Sequence, residues 1–203
     1  MTLNAVLTIG HSNHSAARFL SLLKQHEITA VADVRSVPIS RFTPQFNRDM
    51  VERSLYGVGI KYVFMGKALG ARTKDVTCYV DGQVQYSRLA KTPEFNNGIE
   101  RLMKGARTER IVIMCAEHEP LDCHRTVLIA PVLAERGVTI GHIHGDGHVE
   151  SHNIAMRRLM SRFGLDEADL FHTPAERLQE ALSRQEHRIA YISEEFRLDG
   201  TRG

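Results

Sequence analysis

Residues 110–125 read RIVIMCAEHEPLDCHR. The first six of these residues form a short, nearly continuous apolar run, the pattern of a central strand buried on both faces of a parallel sheet. A polar loop follows, and residues 126–137, TVLIAPVLAERG, read as a helix that Gly137 ends and that Pro131 kinks or shifts in its first turns. Strand, polar loop and helix in this order form one unit of an α/β fold.

The same unit recurs on the N-terminal side. Residues 5–10, AVLTIG, lead through HSNHS into ARFLSLLKQH, where Phe19, Leu20, Leu22 and Leu23 suit a buried helical stripe and Ser15 suits its N-cap. Residues 29–36, TAVADVRS, repeat the strand signal ahead of Pro38, which cannot continue a central strand. Asn47 is placed to cap a helix through Leu55, which Gly57 and Gly59 stop before the strand IKYVF at 60–64. Residues 65–89 lack a sustained period and read as a long loop with a short hairpin at Asp81-Gly82. Thr92 and Pro93 open another helix as N-cap and N1. Beyond Gly137, VTIGHIHGDG reads as a last strand and turn. The chain then turns helical, with Thr173-Pro174 capping its final segment. The pattern predicts a Rossmann-like three-layer α/β domain over 1–152, with a mostly parallel sheet of about five strands. A helical C-terminal extension over 153–203 is expected to pack on it.

Composition narrows the function classes. The 203 residues are 42% hydrophobic and 25% charged, ordinary globular usage. No stretch reaches the roughly 18 apolar residues of a membrane helix, and MTLNAVLTIGHS lacks a basic leader, so a cytoplasmic protein without a membrane partner is expected. Three cysteines do not make a disulfide framework, so Cys78, Cys115 and Cys123 read as reduced thiols, Cys78 as a packing or loop residue. The net charge of +2 imposes no polyanion partner. Its distribution is uneven: residues 35–75 carry eight Lys or Arg against three Asp or Glu, and residues 164–203 carry five against nine. Aromatic residues Phe42, Phe46, Tyr56, Tyr62 and Phe64 interleave with that basic segment as a nucleic-acid stacking surface does. A solvated basic face and core aromatics explain the same pattern.

In open parallel sheets, ligands sit beyond the carboxyl ends of the strands. The residues just past the predicted strands are Gly10-His11-Ser12, Asp33-Val34-Arg35, Cys115-Ala116-Glu117 and the run from His142 to Gly147. Four strand ends that each deliver His, Asp, Arg or Cys are harder to attribute to packing than any one alone. The segments TIGHS, DVR with Pro38 and Ser40, Leu69-Gly70, MCAE with CHR, His142-Ile143 and Asp146-Gly147 resemble the signature of the bacterial and archaeal family catalogued as domain of unknown function 488. The resemblance runs from about residue 6 to 152, and HRIAYISEEF is similar to the ending of longer members. It implies an α/β fold and a shared site that includes these strand-end residues, and no particular activity.

Residue chemistry supplies the roles. Cys123, expected in the first turn of a helix with His124 and Arg125 beside it, suits a low-pKa nucleophile. His11 or His124 suits a proton carrier, and Asp33 suits an orienting group. Cys115, inside an apolar strand, also reads as packing. The catalytic candidates are therefore Cys123, His124, His11, Cys115 and Asp33. Arg35 and Arg125, with helix-start amides after Ser12 and Cys123, form an expected anion pocket, and Ser12, Arg35, Ser40, Glu117, Arg125 and Asp146 are the substrate-binding candidates. GHSNHS lacks the G-x-G-x-x-G pattern and no P-loop lysine motif is present, so no organic cofactor is expected. Zn²⁺ is the one cofactor the residues allow, on Cys115, Cys123 and His124 or His142, although seven residues between the cysteines exceed the usual structural-zinc spacing. Three functions compete: an enzyme acting through Cys123 on an anionic, phosphate-bearing, nucleotide or nucleic-acid substrate; a Zn²⁺-dependent hydrolase-like site; and a non-catalytic nucleic-acid-binding module. No sequence feature specifies an oligomeric state.

Overall fold

The apolar run at 110–115 forms β6 (Ile111–Cys115), buried at every residue and flanked on both sides by parallel neighbours. The structure is a computed structural model and describes residues 5–167 and 170–197. Residues 1–4, 168–169 and 198–203 of the two segments expected above lie outside the described residues. The sheet runs β3 (Lys61–Phe64), β2 (Ala30–Asp33), β6, β1 (Val6–Gly10), β7 (Ile140–Ile143) and β8 (Val149–Ser151). The first five are parallel, and β8 pairs antiparallel with β7.

Alternation along each strand divides the core in two. Leu7, Ile9, Val31, Val112, Met114 and Ile143 face α1 (Ala16–Gln25) and α2 (Arg48–Tyr56), which bury Phe19, Leu22, Leu23, Val51 and Leu55 against them. Val6, Ala30, Ala32, Ile111, Ile113 and Ile140 face the other way, onto α5 (Pro93–Gly105) and α6 (Ala130–Glu135) through Phe95, Ile99, Leu102 and Leu133. Burying each such large apolar side chain contributes about 1.5–3 kcal/mol. A third cluster joins α7 (His152–Arg162) to α8 (Pro174–Ile189) through Leu121, Ala155, Met156, Leu159 and Ala181. Among the described residues no helix is long and apolar enough to cross a membrane.

The capping expectations are met at α1, where Ser15 Oγ accepts from the Arg18 amide, at α5 with Thr92 and Pro93, and at α8, where Thr173 and Glu176 complete a capping box. Asn47 precedes α2 but does not cap it; its Oδ1 accepts from the Ser40 amide at 2.7 Å and ties down the preceding loop instead. Pro131 acts upstream of its own position. Lacking an N–H, it cannot complete the regular ladder, and residues Arg125–Ile129 take a π-helical turn before α6 begins. The sheet has one strand more than expected because β8, Val-Glu-Ser, is too short and polar to be read from periodicity. The expected loop at 65–89 contains α3 (Gly66–Leu69), the hairpin β4 (Tyr79–Val80) and β5 (Gln83–Val84), and α4 (Tyr86–Leu89).

Candidate functional site

Parallel register brings the strand ends to one edge. The His11 amide donates to Cys115 O at 2.9 Å, the Ser12 amide to Ala116 O at 2.9 Å and the Val34 amide to Met114 O at 3.1 Å. The loop 116–122 then brings Cys123 back over the end of β6. Cys123 is extended and stands just before the helical turn rather than within it, its carbonyl accepting from the Thr126 and Val127 amides.

Cys115 Sγ, Cys123 Sγ and a His124 ring nitrogen lie within 4.8 Å of one another, and all three residues are buried. His124 Nδ1 is 3.7 Å from Cys115 Sγ and 3.8 Å from Cys123 Sγ. Glu117 Oε2 lies 2.9 Å from Cys123 Sγ, close enough to share one proton with it. The hydrogen bond that the Cys115 thiol donates to Cys123, reinforced by burial, holds Cys115 well above its ordinary pKa. Against burial, contact with Cys115, the buried Arg125 and His124 hold Cys123 well below its own. Burial and the adjacent sulfur raise Glu117, and the same sulfur raises His124 against burial. These groups floor a pocket of about 230 Å³ whose walls include Arg35, Arg72, Tyr86 and Tyr191.

The remaining candidates are placed differently. Asp33 and Arg35 form a buried pair, with Arg35 Nη2 to Asp33 Oδ2 at 2.6 Å and Nε to Oδ1 at 2.9 Å. Arg35 Nη1 donates to Phe46 O at 2.9 Å and to His11 Nε2 at 3.1 Å, and His11 Nδ1 donates to Ser12 O at 2.9 Å. His11 stacks on Phe46 on the α1/α2 side of the sheet, while Cys115 belongs to the α5/α6 side. With both ring nitrogens engaged and burial lowering its pKa to about 4, His11 is a neutral support for Arg35 and does not line the pocket. Arg125 is fully buried, and its Nη1 and Nη2 donate to the carbonyls of Glu117 and His118 at 2.9 and 3.4 Å, so it holds the loop rather than facing the pocket. Ser12 turns the backbone in the left-handed region at φ 47°. Ser40 Oγ accepts from the Phe42 and Thr43 amides, and exposed Asp146 pairs with His148. None of these three lines the pocket.

His142 is a correction to the alternative metal set. Its Nδ1 contacts Thr8 Oγ1 at 2.8 Å and its Nε2 contacts His152 Nδ1 at 3.1 Å, away from the sulfurs. The convergent donor set among the described residues is Cys115, Cys123 and His124. The aromatics of the basic segment are mostly committed as well. Phe46 is in the core, Tyr62 donates to Asp33, and Arg48 lies over Phe64, which leaves Phe42 and Tyr56 exposed.

Pocket residues Ser36, Arg72, Tyr86, Ile189 and Tyr191 escape the strand-end reading. Arg72 and Tyr86 come from the stretch without periodicity, and Ile189 and Tyr191 from the end of α8 and the tail. That tail is anchored across the hairpin: the Val84 amide donates to Tyr191 O at 3.0 Å and the Tyr86 amide to Glu186 Oε1 at 2.6 Å. Gly10 makes the crossing of loop 116–118 over β1 sterically feasible, because a Cβ there would lie 1.8 Å from Glu117 O. Gly10→Ala is expected to lower stability by about 1–3 kcal/mol as this backbone is displaced. It should also speed alkylation of the pocket thiols. Unchanged urea midpoint and thiol reactivity in that variant would show that the crossing is not tight.

A family model described as Domain of unknown function DUF488 matches residues 15–131, more than half of the chain. The chain belongs to the DUF488 family. The match takes in Arg35, Gly70, the two-cysteine block and Arg125, and it leaves out His11, Ser12, His142 and Asp146, so it is narrower than the motif resemblance from 6 to 152. Comparisons with curated proteins and with solved structures found no match. Within the DUF488 segment, Gly70 has a backbone role: a Cβ there would lie 2.3 Å from both Ser36 Oγ and Gly66 O. Its absence brings the chain against the end of β2, where the Arg72 amide donates to Ser36 Oγ at 3.0 Å.

Proposed function

We propose that the pocket is an enzyme active site for a small anionic substrate, built around a Zn²⁺ site on Cys115, Cys123 and His124. The convergence of these three donors supports the reading. Tetrahedral Zn²⁺ with Zn–S of about 2.3 Å and Zn–N of about 2.0–2.1 Å places sulfur and nitrogen about 3.6 Å apart. The two S···N separations here are 3.7 and 3.8 Å. Three protein ligands beside an open cleft are the arrangement of catalytic zinc, while structural sites are closed by four. Held by Cys115, Cys123 and His124, Zn²⁺ would supply Lewis acidity and an activated water for hydrolysis. Glu117, its carboxylate beside Cys123 and its side chain lining the cleft, is the group placed to take and return a proton. The Tyr86 phenol lines the same cleft, and Arg35 is fixed at its wall by Asp33 and His11.

A second reading uses the same atoms without a metal. The contact of Cys123 with His124 suits a thiolate nucleophile with an imidazole proton carrier. The two readings give opposite results in elemental analysis of protein purified without chelator. The zinc site predicts stoichiometric Zn²⁺, lost in Cys115→Ser, Cys123→Ser and His124→Ala. Metal-free wild-type protein that cannot be loaded with Zn²⁺ overturns it. The thiolate reading then requires an apparent pKa for Cys123 alkylation well under the ordinary value of about 8.5.

A further inference from the structure

An anionic substrate needs a cation that faces it, and the two arginines that the sequence offers are turned into the fold, Arg125 keeping only a buried Nε without a partner and lining no part of the pocket. Arg35 directs its guanidinium to Asp33, Phe46 O and His11, and Arg125 directs its own to the Glu117 and His118 carbonyls from a fully buried position. The pocket has one further guanidinium on its wall, that of Arg72. Its Cζ lies 4.7 Å above the centroid of the Tyr191 ring. Its backbone is pinned to Ser36 Oγ by the close approach at Gly70. A guanidinium resting on an aromatic face keeps its N–H edge free for an oxyanion while its plane is held in place. Val37, Ala71, Ile189 and the Tyr191 ring give the same wall an apolar and aromatic surface, beside Ser36 and Asp122, whose carboxylate is paired with Arg162.

We infer that Arg72 is the residue that recognises the anion of the substrate, and that Tyr191 of the C-terminal tail is its positioning residue. The ligand class is a carboxylate or phosphate oxyanion carried on a ring-sized apolar body, with the anion at the mouth and the reacting part directed to the Cys115, Cys123 and His124 floor. This deepens the reading of the pocket as a substrate site and is independent of which metal, if any, the floor holds. It also gives the C-terminal segment a role in binding, through a residue far outside the part of the chain that matches DUF488.

Calorimetric titration with phenyl phosphate and with benzoate tests the inference, with benzyl alcohol as the uncharged control. At least one of the two anions should bind the full-length protein, and the one that binds identifies the oxyanion. Arg72→Ala should weaken that binding about tenfold or more, as loss of a charge-assisted contact does. Arg72→Lys should fall between the two, and Tyr191→Ala should weaken it less than Arg72→Ala. Lys74→Ala and Arg41→Ala, exposed bases that do not line the pocket, should leave it unchanged. Arg72 is itself exposed, so its alanine variant should keep the wild-type circular dichroism spectrum, thermal midpoint and zinc content. No binding of either anion by wild-type protein, or equal binding by Arg72→Ala, overturns the inference. Loss of the zinc reading alone would leave the Arg72 effect standing.

Discussion

Asp33→Asn is expected to lower the stability of the fold by about 3–5 kcal/mol, the usual cost of breaking a buried ion pair from one side. Asp33 has no exposed surface and Arg35 keeps 6% of its own. The carboxylate receives three donors from Arg35, its amide, Nε and Nη2, together with the Tyr62 hydroxyl at 2.7 Å. Burial, then the Asp33 charge, raises the Tyr62 phenol above its ordinary pKa, so it remains a donor. An asparagine amide nitrogen at the Oδ2 position would face the Arg35 and Tyr62 donors and leave the guanidinium charge buried without a counterion. Arg35→Met strands the opposite charge and is expected to cost a comparable amount. The double variant should lose less than the sum of the two, because removing both charges removes the mutual dependence. Urea midpoints with their slopes measure all three. A loss below about 1 kcal/mol in Asp33→Asn would mean that this pair is not what holds the end of β2.

Arg35 shows what could and could not be read from the chain. That it stands at the same sheet edge as the two cysteines follows from the strand TAVAD and the rule that parallel strands end together. That its donors face inward does not follow, because they are taken by Phe46 O, on a loop tied by Asn47, and by His11 on another strand. The two-cysteine block was legible for a similar reason: β6 is the most apolar strand, so the residue ending it and the loop returning over it share one place. His11 and Cys115 end adjacent strands, yet a side-chain period of two sends them to opposite sides of the sheet. Arg72 and Tyr191 were not legible. They are 119 positions apart, one in a stretch without periodicity and the other in a tail whose course is set by hydrogen bonds to the β4–β5 hairpin. Position 8 marks a further boundary: Thr8 occurs in an otherwise apolar strand because it contacts buried His142, and only the pairing of β1 with β7 reveals that.

The buried histidines are expected to make the protein acid-labile above the range in which most carboxylates titrate. His11 is lowered to about 4, His142 to about 3 and His152 to about 4, each first by burial. At His11 the hydrogen bond to Ser12 O and the Asp33 charge oppose burial while Arg35 and Arg125 add to it, and His152, Arg125 and His144 add to it at His142 against Glu150. The ordinary value is 6.5. Above it, both folded and unfolded chains hold these rings neutral and the shifts contribute nothing. As pH falls through 6.5 toward 4, the unfolded chain takes up protons that the folded chain refuses, so stability falls. His124, raised by Cys123, takes up its extra proton above 6.5 and is charged in both states below pH 6, so the loss there involves the two to three protons of the other rings. At about 1.4 kcal/mol per proton and pH unit, the loss is about 3 kcal/mol per pH unit below pH 6, a large part of the 5–15 kcal/mol typical of a domain. Urea midpoints at pH 7, 6 and 5 should therefore fall steeply, before most carboxylates take up protons. His142→Gln and His152→Gln should each flatten that slope by about one proton, whatever their effect at pH 7. A stability profile that stays level from pH 7 to 5 would mean that these rings accept protons inside the fold, and the Thr8, His142 and His152 chain would then be hydrated rather than dry.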